Sequence, residues 1–232
     1  EERDNLKAMG KAAAGLTGAL FGRMVTSDLL ARVDAPVHVA HAFTVHAANT
    51  EMDYFTVVDD LNRDDETGAA HANQTELGAG LYYDYVAVDI PLLVSNLTGC
   101  EPKDWRSQEQ DQPRRVLEAL IQSILQQSPG AKKGSTAPYA WADFLLLETG
   151  RVQPRTLANA FLEAVPWKNA SRDVRLIAVE RLSKYLADLD GMYGVPDGYR
   201  GVSSSLELLP DVLPPKTGVP ANIAAALDAV WS

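Results

Sequence analysis

Apolar and polar positions in the first half of the chain predict a sheet with an arm projecting from it. Two apolar, β-branched runs, Val37–His46 and Leu81–Asp89, enclose an acidic segment that holds a third such run, Tyr54–Val58. The connection is much longer than a tight turn, so the pattern predicts a long hairpin or arm over residues 47–80. Its polar tip, Asn62–Asn73, offers little apolar surface, and we predict that it becomes ordered only against a neighbouring molecule.

Helical periodicity dominates the second half of the chain. The sequence predicts an amphipathic helix from Pro113, helices over Pro154–Val165 and over Ser171–Asp190 with Ser171 as the N-cap, and a final short helix over Ala221–Trp231. The apolar run Tyr139–Glu148 suits a buried strand, although periodicity alone also permits a helix. Strands segregated from helices in this way predict an α+β fold.

Charge is distributed unevenly along the chain, which carries a formal net charge of −10. Residues 34–100 hold 11 acidic groups and a single basic group, Arg63, and account for the whole deficit. A strongly acidic balance, taken over the whole protein, argues against a nucleic-acid partner. The uneven distribution leaves room for a phosphate-binding face outside residues 34–100.

The single cysteine, Cys100, excludes an intrachain disulfide and fits a reducing compartment. The sequence has no apolar run approaching the roughly 20 residues that a membrane helix requires. These features predict a cytoplasmic protein.

Three histidines within nine residues, His38, His41 and His46, raise the question of a metal site. In a strand, side-chain alternation places His38 and His46 on one face, about 26 Å apart, with His41 on the other. One zinc ion needs ligands at about 2.1 Å, so we predict neither a metal nor another cofactor.

Carboxylates of the arm leave a catalytic alternative open. Asp59, Asp60 and residues 64–66, with Asp53 nearby, are the kind of group with which a metal-dependent nuclease binds Mg²⁺. The sequence shows no convergent third group, and a solvated, charged arm is the commoner explanation. No enzymatic activity is predicted.

Several blocks of the sequence resemble one known family, and they occur in the same order. They are GRM at Gly22–Met24, AHAFTVH at 40–46, DYFTVVDDL at Asp53–Leu61, LYYDYVAVD at Leu81–Asp89, PGAKKGSTAPY at Pro129–Tyr139 and PRTLANAF at Pro154–Phe161. The family is that of the CasC (Cse4-type) backbone subunit, of the RAMP superfamily, in the type I-E CRISPR surveillance complex Cascade. The resemblance implies an RRM-like (ferredoxin-like) palm, a helical fingers region and a protruding β-hairpin thumb.

The resemblance also implies a division of the chain. Residues 1–46 and 81–232 would form the palm and helical region, and residues 47–80 the thumb. Family members begin with a strand and a basic helix that contacts RNA, and the start of this sequence matches neither. The resemblance therefore implies that an N-terminal part of the palm is missing.

A non-catalytic scaffold is the function that the resemblance implies. Copies of the chain would assemble along the CRISPR guide RNA with other Cascade subunits, and would meet target DNA through the guide in antiviral defence. Two alternatives remain open: a metal-dependent nuclease that uses the arm carboxylates, and a protein-only assembly module whose acidic arm docks on a basic neighbour.

RNA contacts are implied at five residues: Gly22, Arg23, Met24, Lys132 and Lys133. The methionine would stack against bases and the cations would bind phosphates, neither of which requires a particular base sequence. Without the resemblance, Arg23 would be an ordinary surface residue and Met24 a filler of the core.

Contacts of the thumb with a neighbouring subunit are implied at Asp53, Phe55, His71 and Thr75. The thumb also departs from the family, because Ala72 stands where a bulky aliphatic residue is expected, followed by Asn73 and Gln74. A methyl group cannot hold two bases apart, so this departure weakens the implied base-wedging role of position 72.

Overall fold

The computed structural model describes residues 15–24, 32–48, 50–57, 71–128, 133–166 and 172–232. Within these residues the strands form four antiparallel pairs. They are β1 (Val37–Val39) with β6 (Val86–Val88), β2 (Phe43–Thr44) with β5 (Tyr82–Tyr83), β3 (Thr50–Val57) with β4 (His71–Gly78), and β7 (Phe144–Glu148) with β8 (Arg200–Ser204). The first three pairs are nested along the chain, so together they form one interrupted hairpin.

Helices make up most of the remaining regular structure. The described residues contain α1 (Gly15–Phe21), α2 (Ile90–Thr98), α3 (Asp111–Gln126), α4 (Lys133–Thr136), α5 (Val174–Tyr193) and α6 (Val219–Trp231), with 3₁₀ turns at Pro102–Ser107 and Ala158–Phe161. The predicted α+β class is confirmed, as are the predicted helices that α3 and α6 form. Over the same residues, no helix has both the length and the apolar character needed to cross a membrane.

One core lies between α1, α2, α3, α6 and β1. Its buried side chains are Leu20, Val37, Leu93, Leu117, Ile223 and Leu227. Within it, the buried amide of Asn96 in α2 donates to the carbonyl oxygens of Ala19, at 3.1 Å, and Asp34, at 2.9 Å. These two bonds tie the end of α1 to the segment that leads into β1.

A second core packs α5 against β8 and the segments around them. Its buried side chains are Leu157, Val179, Leu182, Leu186, Val202, Leu206 and Leu213. A smaller buried cluster of Val45, Val165 and Ala178 joins the root of the interrupted hairpin to α5. The hairpin is therefore anchored at its root by burial of apolar side chains.

The predicted arm corresponds to the ladder of β3 and β4, with some changes in its limits. Each of the two enclosing runs contains two short strands instead of one, because the ladder is interrupted at residues 40–42 and 84–85. Strand β4 begins at His71, so the last three residues of the predicted tip belong to a strand. Residues 58–70 lie outside the described residues, and the prediction about ordering of the tip remains a prediction.

The predicted helix over Pro154–Val165 is wrong, because only the 3₁₀ turn Ala158–Phe161 forms there. The backbone N–H of Leu157 donates to the hydroxyl of Tyr83 at 2.9 Å, and the Thr156 hydroxyl lies 3.2 Å from the same oxygen. Contacts with β5 thus hold this segment in a non-helical path, which overrides its helical propensity.

Two further boundaries differ from those predicted. The predicted strand over Tyr139–Glu148 forms only from Phe144. The predicted N-cap at Ser171 is wrong, because α5 begins at Val174 and its N-cap is Asp173, whose side chain accepts the N–H of Arg175 at 2.8 Å. Ser171 itself lies outside the described residues. Both aspartate and serine make effective N-caps, so the sequence offered two equivalent starting points.

Candidate nucleic-acid interface

Gly22 ends α1 and turns the chain toward the segment before β1. Its φ is 75°, in the left-handed region, and its N–H donates to the carbonyl of Gly18 at 3.0 Å. A Cβ atom at this position would lie 2.8 Å from the carbonyl oxygen of Val33. Glycine is required here both by the backbone conformation and by the close approach of the neighbouring segment.

Arg23 and Met24 follow that turn on a backbone that is held in place. Arg23 exchanges two backbone hydrogen bonds with Val33, at 2.8 and 3.0 Å, and the two residues form an isolated antiparallel bridge. Both side chains are exposed, and Met24 is 86% exposed. The interpretation of Met24 as a filler of the core is therefore wrong. A guanidinium and a thioether at consecutive positions are therefore both exposed to solvent.

Lys133 is the first residue of the single-turn helix α4, and its side chain is exposed. Lys132 lies outside the described residues. Lys133 and Arg23 lie on different elements of the fold, α4 and the turn after α1. The two elements that the resemblance assigns to RNA contact therefore remain separate predictions.

Two exposed aromatic side chains follow α4, and the sequence interpretation missed them. Tyr139 is 69% exposed and Trp141 is 68% exposed. The apolar pattern placed both in a buried strand, whereas β7 begins after them. The sequence does not reveal their exposure, but it marks the segment by charge, because no acidic residue lies between Glu118 and Asp143.

His46 fastens the root of the hairpin. It is only 3% exposed, and its Nε2 accepts the N–H of Leu81 at 3.0 Å. Its Nδ1 lies 2.8 Å from the carbonyl oxygen of Ala47, so the neutral tautomer with a proton on Nδ1 satisfies both contacts. A Cβ atom on Gly80 would lie 2.8 Å from this ring. His46 therefore has a structural role at the point where the arm leaves the body of the protein.

The pairing of β3 with β4 determines on which face of the ladder the four predicted thumb contacts lie. The cross-strand partners are Asp53 with Thr75, Phe55 with Asn73, and Val57 with His71. Cross-strand partners share a face, as do alternate residues of one strand. Positions 53, 55, 71 and 75 therefore belong to one face of the ladder. Their contact with a neighbouring subunit remains a prediction.

The three clustered histidines lie in different settings. The ring of His38 is exposed and its Nε2 lies 3.1 Å from the carbonyl oxygen of Ala35, whereas the ring of His46 is buried at the arm root. The continuous strand assumed for all three is wrong, because residues 40–42 interrupt it. Over the described residues, no group of three or more His, Cys, Asp or Glu side chains is arranged to hold a metal ion. Residues 59–66 lie outside the described part of the chain.

The PRTLANAF block has a structural explanation. Arg155 and Arg200 each contact both Glu148 and Asp190, at 2.7 to 3.1 Å, and these four side chains are 12% to 24% exposed. Hydrogen bonds from Arg200 hold the pKa of Asp190 below its usual range against the opposing effect of burial, and Arg155 contributes in the same direction. This ion cluster joins β7 and β8 to the end of α5.

Two solved structures are similar to the chain over nearly its full length. One is a chain from a "CRISPR RNA-guided surveillance complex, pre-nicking", with a TM-score of 0.78, 28% identity, and coverage of 92% of this chain and 55% of that chain. The other is a chain from a "CRISPR RNA-guided surveillance complex", with a TM-score of 0.77, 27% identity, and coverage of 97% of this chain and 82% of that chain. The chain thus spans about half the length of the first relative.

A comparison with protein families identifies the family of the chain. A search of curated proteins finds no match. The family model Cas_CT1975, described as "CT1975-like protein", matches residues 1–213, which include every block listed above. The chain therefore belongs to the family of CT1975-like proteins.

Proposed function

We propose that the chain is a non-catalytic, guide-RNA-binding scaffold subunit of a Cascade-type surveillance complex, of the CasC (Cse4-type) kind found in type I-E systems. Copies of the chain assemble side by side along CRISPR RNA together with other Cascade subunits. Target DNA is reached through pairing with the guide, so the scaffold has no need to read sequence.

The likeness to chains of two RNA-guided surveillance complexes is the observation that carries the proposal. The chemistry of the Gly22–Met24 element supports it. A guanidinium binds phosphate and a thioether packs on the face of any base, so both suit a guide whose sequence varies. The bridge between Arg23 and Val33 holds the backbone of this element before any ligand arrives.

The acidic balance of the chain is compatible with such a role. The net charge of −10 is accounted for by residues 34–100, which include the hairpin and exclude the Gly22–Met24 and Lys133 elements. Each copy offers few cations at these two elements, so its own affinity is weak and depends on salt. Several copies on one RNA gain affinity through their high effective concentration along the strand.

Titration with RNA tests the proposal. The chain is titrated with two unrelated single-stranded RNAs of guide length at several salt concentrations, beside an Arg23→Ala/Lys133→Ala variant. We expect equal binding of both RNAs, weaker binding at higher salt, and a further loss in the double variant. A Lys103→Ala variant, which removes an exposed cation in a different part of the fold, is the matched control and is expected to bind as the parent does.

Other outcomes distinguish the alternatives. Absence of RNA binding by the parent overturns the proposal. Cleavage of the RNA in the presence of Mg²⁺ or Mn²⁺ favours the metal-dependent nuclease. Salt-sensitive self-association without RNA binding favours the protein-only assembly module with an acidic docking arm.

A further inference from the structure

The segment between α4 and β7 presents two large aromatic rings to solvent. Tyr139 and Trp141 are exposed by more than two thirds of their surface. Large aromatic side chains usually bury most of their area, so two of them exposed within three residues indicate a surface that binds something.

The backbone of this segment is held against the end of α3. The N–H of Ala142 donates to the carbonyl of Leu125 at 2.9 Å, and the carbonyl of Ala140 accepts the Ser128 hydroxyl at 3.0 Å. In an extended chain, the carbonyl of one residue and the N–H of the second residue after it point the same way, as these two do. The rings are therefore mounted on an attached strand-like segment and not on a loose loop.

The extended backbone of this segment also determines how its two aromatic side chains are spaced. Residues 139 and 141 are two positions apart, so in an extended backbone their side chains leave the chain on the same side, from Cα atoms about 6.6 Å apart. Two aromatic faces at this separation suit two bases of a single strand better than one continuous apolar partner.

Charge around the rings favours the same kind of ligand. The 24 residues from Ala119 to Ala142 contain two lysines and no carboxylate, in a chain whose net charge is −10. The next carboxylate, that of Asp143, accepts hydrogen bonds from Arg175 at 3.0 Å and from the Ser205 hydroxyl at 2.6 Å. A polyanion with flat aromatic groups fits this surface, because nothing in the segment repels phosphate.

We propose that Tyr139 and Trp141 form a stacking platform for two bases of single-stranded RNA, and that the exposed Lys133 of the preceding helix α4 binds adjoining phosphates. The platform rests on the proposed RNA-binding function and adds two residues to it. It binds bases through their faces, so it has no preference among the four bases.

Abasic RNA separates stacking from phosphate binding. The parent and a Tyr139→Ala/Trp141→Ala variant are titrated with a single-stranded RNA and with an abasic oligonucleotide of the same length. We expect the parent to bind the RNA more tightly than the abasic strand. We expect the double variant to bind the RNA at least about tenfold more weakly, with little change on the abasic strand.

A control variant and the remaining outcomes make the test decisive. Tyr193→Ala removes a ring that is 73% exposed at the end of α5, and we expect it to bind both strands as the parent does. Unchanged RNA binding by the double variant overturns the platform and leaves the proposed function intact. Binding of neither strand by the parent overturns the proposed function and the platform together. A loss of self-association in the double variant, with RNA affinity unchanged, assigns the rings to protein contact instead.

Discussion

Asp190 accepts a hydrogen bond from Arg155 across 2.7 Å, although the two residues lie 35 positions apart in the chain. The same carboxylate accepts two bonds from Arg200, at 2.7 and 3.0 Å. Asp190 therefore connects the segment after β7 and the first residue of β8 to the end of α5. With a side chain only 12% exposed, it compensates two guanidinium groups that are themselves 19% and 15% exposed.

Replacing Asp190 by asparagine is expected to destabilise the protein by about 3 kcal/mol, because two poorly solvated cations lose a carboxylate partner. Urea unfolding at neutral pH measures the change. Asp188→Asn is the matched control on the same helix, since Asp188 is 59% exposed and its pair with Lys184 spans one turn. We expect that control to cost less than about 0.5 kcal/mol. Equal losses for the two variants would contradict a special role of the ion cluster.

Acid is expected to remove the contribution of Asp190. Its pKa is lowered in the folded protein, chiefly by hydrogen bonds from Arg200. The stabilisation is therefore complete above the unfolded-state pKa of about 3.9 and is lost as the pH falls through the lower folded-state pKa. The difference in unfolding free energy between the parent and Asp190→Asn should be constant from pH 7 to pH 5 and shrink below about pH 4. A difference that stays constant down to pH 2.5 would contradict this assignment.

The ion cluster could not be predicted from the sequence, because its four residues are brought together by the fold. The resemblance included the PRTLANAF block, and local periodicity predicted a helix there. The sequence around Arg155 does not reveal its two carboxylate partners. The bond from Leu157 to the Tyr83 hydroxyl, between residues 74 positions apart, is equally invisible. Tertiary contacts of this kind override local propensity.

Elements that depend on local hydrophobic patterns are predicted better from the sequence. The apolar stripe after Pro113 predicts α3, and the two runs around the acidic segment predict the hairpin. The break of the strands at residues 40–42 follows from the path of the backbone and leaves no sign in the hydrophobic pattern. For the candidate site, glycine at position 22 signals a turn, whereas the exposure of Met24 and Trp141 depends on which surfaces the fold leaves uncovered. Apolar composition alone places both side chains inside.

Gly22→Ala is expected to destabilise the protein by about 2 kcal/mol. An alanine must adopt a left-handed φ, and its Cβ atom must displace the Val33 carbonyl, 2.8 Å away. Gly191→Ala is the matched control, because that glycine lies in α5 with open space around it. The control is expected to stabilise the protein by up to about 1 kcal/mol. Thermal unfolding of the two variants should therefore shift in opposite directions, and a shift of the same sign in both would contradict the argument.

Arg23 and Met24 are expected to contribute to RNA binding in different ways, although they are neighbours. Arg23→Ala removes one phosphate contact, so the dependence of log affinity on log salt should become shallower by about 0.7 for single-stranded RNA. Met24→Ala removes a contact with base faces, so affinity should fall by a similar factor at every salt concentration and the slope should not change. Salt titrations of the parent and both variants on one RNA measure this difference. The Met24 side chain is 86% exposed, so its removal has little effect on folding, and a thermal melt serves as the control. If neither variant changes the affinity, the turn after α1 lies away from the RNA and its assignment to the interface is wrong. If both variants change the slope equally, the division of roles between the guanidinium and the thioether is wrong.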